Sequence, residues 1–126
     1  MRVAIVDDEY YTLEGLRIKL SKLHDIELVG MYEDSRTFMD EVVRKEPEVV
    51  LLDINMPKMN GFQVADWMKE FGLKTSVIFV SAYDHYAERI SEIDAVDYII
   101  KPVTLERLEE ALDKARERGL GRKGMG

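Results

Sequence analysis

No cysteine occurs in the chain. That excludes a disulfide framework and a thiolate metal site, and it makes a reducing compartment, the cytoplasm, the natural setting. Long hydrophobic runs are missing too: the apolar stretch in the opening "MRVAIVDDE" is cut off by three acids, far too early for a signal peptide, and no later run approaches a membrane span. Positive charge is in deficit, with a net charge of -7, so this chain is not expected to bind nucleic acid or an anionic membrane by itself. A cation or a basic partner suits it better. No glycine-rich phosphate loop of the GxGxxG or GxxxxGK type is present, which counts against a nucleotide cofactor. Histidine is scarce: His24 and His85 do not lie at predicted strand ends and read as surface residues.

What is present describes one compact domain. The chain has 126 residues, 46% of them hydrophobic and 34% charged, which is enough to bury a real core and unlike a disordered segment. Short apolar runs alternate with longer segments of helical period. "VAIV" precedes a segment with Leu13, Leu16, Leu20 and Leu23 on one helical face, and "IELVGMY" reads as a strand again. Asp34 or Ser35 can cap a helix carrying Phe38 and Val42, with Pro47 marking its end. "VVLL" leads to a helix with Val64, Ala65, Trp67, Met68 and Phe71, stopped at Gly72. "VIFV", a short weak helix carrying Ile90 and Ile93, "DYII", and a helix with Leu105, Leu108, Leu112 and Ala115 complete the series. Strand and helix alternate about five times, which predicts an α/β fold, a doubly wound parallel sheet with right-handed crossovers and helices on both faces. The glycine-rich end, "GLGRKGMG", reads as a flexible tail or linker over 119–126, leaving 1–118 as the domain.

Ligands of open parallel sheets bind at the carboxyl ends of the strands. Here those ends carry Asp7, Asp8 and Glu9, then Asp53, Ser81 and Lys101, the last followed by Pro102. One such residue at a strand end is ordinary surface polarity; the set together predicts a pocket. Asp7, Asp8 and Asp53 bring three negative charges close together, which raises at least one pKa unless a divalent cation and Lys101 neutralise them. An all-oxygen site of this kind suits magnesium, or manganese in its place, rather than zinc. An acid, a hard cation, an ammonium and a hydroxyl make a kit for phosphoryl transfer, with Asp53, alone at the end of the central strand, as nucleophile.

With "IVDDE", "LLDINMPKMNGF", "VSAYD" and "VDYIIKPV" in order and suitably spaced, the chain resembles the receiver domain of two-component response regulators over residues 2 to 118. The resemblance implies a five-stranded flavodoxin-like sheet of order 2-1-3-4-5, a sensor histidine kinase as phosphoryl donor, and Asp53 as phosphoacceptor. It also implies that Asp8 ligates magnesium directly, that Asp7 supports it through water, and that the Asn55 carbonyl completes the protein ligands. Lys101 would contact the phosphoryl oxygens, before a cis bond to Pro102; Ser81 takes the place of the switch hydroxyl and Tyr98 that of the switch aromatic. Asn55 and Tyr83 would flank the phosphoryl group, with Tyr83 excluding water. The text from Ala82 to Val103 looks like receivers attached to DNA-binding output domains. Homodimerisation on phosphorylation is expected, through a surface around His85, Tyr86, Arg89 and Tyr98.

Two departures from the family pattern stand out: Tyr10 where many relatives have proline, and Glu92, Ile93 and Asp94 where a glycine turn is common. Neither touches the proposed chemistry. Taken singly, Tyr98 also reads as core packing and Ser81 as a strand-end cap. Three rivals frame the reading of a signalling switch rather than a metabolic enzyme: a haloacid-dehalogenase-like phosphatase, whose nucleophile would follow the first strand; a pseudo-receiver that only binds; and a flavoprotein, which the acids after the first strand disfavour.

Overall fold

The computed structural model describes residues 1–125, and the side chains of residues 1–120. Five strands and five helices alternate: β1 (Arg2–Val6), α1 (Tyr10–Ser21), β2 (Glu27–Tyr32), α2 (Ser35–Lys45), β3 (Val49–Asp53), α3 (Gly61–Glu70), β4 (Ser76–Ser81), α4 (Ala87–Ser91), β5 (Asp97–Ile100) and α5 (Leu105–Met125). All strand pairs are parallel, and the sheet order is β2-β1-β3-β4-β5, as expected.

The pleat of the strands sorts the core into two layers, because successive side chains point to opposite faces. Val3, Ile5, Val49, Leu51, Ile78, Val80 and Ile99 meet Leu13, Leu16 and Leu20 of α1 and Leu108, Ala111, Leu112 and Ala115 of α5. Ala4, Val6, Val50, Leu52, Val77 and Phe79 meet Phe38 and Val42 of α2 and Phe62, Val64, Ala65 and Met68 of α3. The two central strands β3 and β4 are buried along their whole length, which is why they read as unbroken apolar runs.

Local signals place the element ends. Asp34 is the N-cap of α2, accepting a bond from the Thr37 N–H at 2.8 Å. Asn60 and Gln63 form a reciprocal capping box at the start of α3. Gly72 follows α3 with φ +79°, the left-handed conformation that glycine adopts at little cost. α1 begins at Tyr10 with Glu9 as an N-cap that makes no side-chain bond. Where a flexible tail or linker was expected over 119–126, the backbone of α5 is helical as far as Met125, and position 126 lies outside the described residues. Glycine weakens a helix by about 1 kcal/mol per residue but does not forbid it, and extending an existing helix needs no new nucleus.

The loop after β3 folds back on itself. The Gly61 N–H donates to the Ile54 carbonyl at 2.9 Å. A Cβ at position 61 would run into the Asp53 carbonyl oxygen and come within 2.9 Å of the Ile54 Cα, both backbone atoms that cannot turn aside. At Gly72 a Cβ would meet open space. Gly61→Ala is therefore expected to destabilise the fold by about 1–3 kcal/mol, and Gly72→Ala by about 1 kcal/mol from its backbone conformation alone. Urea unfolding of the two variants tests this; an equal or larger loss at Gly72 would show that close approach at Gly61 is not a constraint.

Candidate functional site

Parallel pairing brings the carboxyl ends of β1, β3, β4 and β5 to one edge of the sheet. By strand parity, Asp7, Asp53 and Lys101 belong to the face of the sheet covered by α1 and α5, while Ser81 and Tyr98 belong to the opposite face. One oxygen from each of Asp7, Asp8 and Asp53 falls within 4.8 Å of the others. Asp7 and Asp53 are buried and Asp8 is exposed, so the cluster has a dry floor and an open rim.

Lys101 is the cation that meets this cluster. Its Nζ stands 2.9 Å from Asp7 Oδ2, 3.8 Å from Asp53 Oδ1 and 3.8 Å from Glu9 Oε1. The Lys101 N–H donates to the Ser81 carbonyl at 2.7 Å, and the Lys101–Pro102 bond is cis. Further back, Asp97 fastens β5 to α5: it accepts two bonds from the Arg107 guanidinium, at 2.7 and 2.8 Å, and one from Lys114 at 3.2 Å. Burial alone would raise the Asp97 pKa, but these partners outweigh it and hold the carboxyl below its ordinary value.

One ammonium does not neutralise three carboxylates. Burial pushes the Asp53 carboxyl up to about 7, the Asp7 charge adds to the push, and Lys101 opposes it. Burial also raises Asp7, against the pull of the Glu9 N–H and of Lys101. For Lys101 burial works the other way, yet Asp7, Asp53 and Glu9 together hold its pKa above the ordinary value. Asp7 Oδ1 accepts from the Glu9 N–H at 2.8 Å, whereas the buried Oδ2 faces the Lys101 ammonium at 2.9 Å. A surplus of buried negative charge and an all-oxygen donor set fit a hard divalent cation.

The other expected residues are placed as follows. Ser81 is fully buried at the end of β4, its Oγ accepting the Tyr83 N–H at 3.1 Å. The Tyr98 hydroxyl is buried and has no hydrogen-bond partner among the described residues. Burial raises its pKa, with partial relief from the nearby Ser81 hydroxyl. The ring thus lies with its hydroxyl inward. Tyr83 is half-exposed, its ring 5.5 Å from that of His85. Asn55 is exposed on the loop after β3, where its Oδ1 accepts from the Tyr86 hydroxyl at 2.8 Å. That partner was not expected: Tyr86 follows Ser81 by five residues, and only the course of the loop after β4 sets its reach.

The crowding of charge has a signed consequence for stability. An aspartate whose folded pKa lies above its unfolded value favours the fold while protonated, so its contribution is present below about pH 4 and is lost as pH rises through about 7. Metal-free protein should lose stability across that window. Asp53→Asn should flatten the loss and be the more stable form at pH 8, and millimolar magnesium should restore the wild type. Urea midpoints between pH 4 and 8 measure this; a wild type that gains stability with pH while Asp53→Asn does not would overturn the assignment of the raised pKa.

Comparison with known proteins agrees with this geometry. The model of the response regulator receiver domain matches residues 3–113. The sensory transduction protein LytT of Bacillus anthracis is 32% identical over 117 residues, which cover 93% of this chain and 48% of LytT. The transcriptional regulatory protein BtsR of Salmonella typhi is 36% identical over 117 residues, with the same coverage. The chain spans about half the length of these curated relatives. Among solved structures, the response regulatory domain of protein mrkE from Klebsiella pneumoniae superposes with a TM-score of 0.84 at 28% identity, covering 94% of this chain and 97% of that one. The receiver domain of AraT from Geobacillus stearothermophilus gives 0.86 at 27% identity, covering 97% of each. Fold, acidic cluster and relatives converge, and the chain belongs to the receiver domains of response regulators, the signalling proteins of two-component systems.

Proposed function

We propose that this chain is a phosphorylation-dependent switch in which Asp53 accepts a phosphoryl group from a sensor histidine kinase. The observation that carries the reading is the meeting of Asp7, Asp8 and Asp53 within 4.8 Å beside the Lys101 ammonium. In the transfer, an Asp53 carboxylate oxygen bonds to phosphorus as the phosphorus–nitrogen bond of the donor phosphohistidine breaks, and the electron pair stays on the imidazole nitrogen. Asp8, Asp53 and the Asn55 carbonyl would hold magnesium, or manganese, with Asp7 supporting it through water. The ion would neutralise the phosphoryl oxygens and keep Asp53 ionised as a nucleophile. Lys101, already between Asp7 and Asp53, would turn its ammonium to a phosphoryl oxygen.

Ser81 and Tyr98 are proposed as the moving parts. The Ser81 Oγ accepts from Tyr83 and keeps its own proton to donate to a phosphoryl oxygen, a charge-assisted bond. Tyr98 would then be held in the inward position its hydroxyl already takes here, fixing the surface that includes His85, Tyr86 and Arg89. A second copy of this chain is the proposed reader of that surface, alongside an attached or separate output domain. Tyr83, half-exposed beside the site, would slow the entry of water. Among the described residues no helix is long and apolar enough to cross a membrane.

Incubation with magnesium and acetyl phosphate should add one phosphoryl group, mapped by mass spectrometry to Asp53. Asp53→Ala or excess chelator should abolish it. Asp8→Asn should weaken magnesium binding by about tenfold or more, and by more than Asp7→Asn does. An adduct that persists on another residue would sink the assignment. For the switch, sedimentation with and without beryllofluoride should show magnesium-dependent dimerisation in the wild type and a weakened response in Ser81→Ala and Tyr98→Ala. If both variants accept phosphate and dimerise like the wild type, the two residues are packing and the switch lies elsewhere.

A further inference from the structure

The hydrogen bond between Tyr86 and Asn55 joins two loops that sequence holds apart, the one after β3 and the one after β4. Asn55 stands two residues beyond Asp53, exposed on the loop that leaves β3. Tyr86 reaches it from a well-fixed base. Its ring sits edge-on to Phe62 at 5.3 Å and 4.2 Å from the ring of His85. Phe62 is buried, lies 5.2 Å from Phe79 of the core and carries the Arg89 guanidinium over its outer side, also at 5.2 Å. The hydroxyl is therefore placed by a chain of rings rooted in the core, with two side-chain torsions to hold.

α4 depends on the same residue. It is five residues long and buries none of its side chains, and Tyr86 is its N-cap, accepting the Ile90 N–H at 3.0 Å. Tyr86 thus ties the start of α4 to the loop that carries Asn55.

We propose that Tyr86 is a positioning residue for the reaction at Asp53: its hydroxyl holds the Asn55 side chain, and through it sets how readily water reaches the phosphoryl group. This rests on the reading of Asp53 as phosphoacceptor. In the hydrolysis, a water oxygen bonds to phosphorus, the bond from phosphorus to the Asp53 oxygen breaks, and the electron pair returns to the carboxylate. Both water hydrogens leave on the phosphate, giving dihydrogen phosphate and Asp53 carboxylate. The water must line up opposite the breaking bond. With Asn55 held against Tyr86, the amide and the loop after β4 stay over that approach; with the bond lost, the amide rotates freely and the loop loosens.

The test uses acetyl phosphate to load the protein and follows loss of the phosphoryl group. Tyr86→Phe, which keeps the ring against Phe62, should lose it roughly fivefold faster, the scale of one ordinary hydrogen bond. Asn55→Ala should also shorten the lifetime, and adding Tyr86→Phe to it should change nothing more, because the hydroxyl would have lost the group it acts on. In unphosphorylated protein, the side-chain amide NMR signals of Asn55 should shift in Tyr86→Phe while the unfolding midpoint stays near that of the wild type. A wild-type lifetime in Tyr86→Phe, or its full effect persisting in the Asn55→Ala background, would overturn the proposal. The two levels of failure are distinct: unmoved amide signals with a normal adduct overturn the role of Tyr86 alone, whereas no adduct on wild-type Asp53 overturns both readings.

Discussion

The site is organised by one electrostatic imbalance: three carboxylates and one ammonium at the edge of an apolar sheet. Asp7 and Asp53 could not be brought together in the interior without a partner, because an isolated buried charge is driven to its neutral form. Lys101 supplies part of the compensation, which explains why β5 must end where it does and why Asp97, Arg107 and Lys114 fix that strand to α5 so firmly. The remainder shows in the raised pKa of Asp53. A fully neutralised cluster would be inert structural filling; a cluster left one cation short keeps affinity for a hard positive ion or for a group that arrives with one.

The pleat then separates two tasks. Asp7, Asp53 and Lys101 share the parity of the face covered by α1 and α5, which is packed with leucine and alanine and offers little room to move. Ser81 and Tyr98 lie on the other face, towards α4, a short helix that buries no side chain. Charge is thus anchored where the core is rigid, and the adaptable side chains sit where packing is loosest. Local stability follows the density of buried contacts, so motion at this edge should concentrate in α4 and the loop before it.

The parallel sheet with helices on both faces was legible because a strand buried on two faces leaves an unbroken apolar run, as "VVLL" and "VIFV" do, whereas the strand order β2-β1-β3-β4-β5 followed only from the family resemblance. The acidic cluster was legible for a related reason: an aspartate closing such a run has no business there unless the strand end is a pocket. At 119–125 three glycines in seven positions predict a break, while the backbone of α5 is helical as far as Met125. Tyr86 was missed as a partner of Asn55 for a different reason. The hydroxyl's reach depends on the loop after β4 and on the ring contacts to Phe62 and His85, and no periodicity encodes a contact between two loops 31 residues apart.

The buried Tyr98 hydroxyl bears on how finely this edge is balanced. Leaving a buried hydroxyl without a hydrogen bond costs about 1–3 kcal/mol, whereas burying the ring recovers a comparable amount from apolar contact. These terms oppose one another for the same side chain, so an inward ring is favoured or disfavoured by a margin smaller than either. A shift of that margin needs only one new interaction nearby. Ser81 is the neighbouring hydroxyl whose orientation decides whether the Tyr98 oxygen has a partner, and the Ser81 Oγ accepts the Tyr83 N–H. A single charge-assisted hydrogen bond made by Ser81, worth about 1.5–3 kcal/mol, is on the scale of the whole balance, so this edge can exist in two arrangements without any rearrangement of the sheet beneath it.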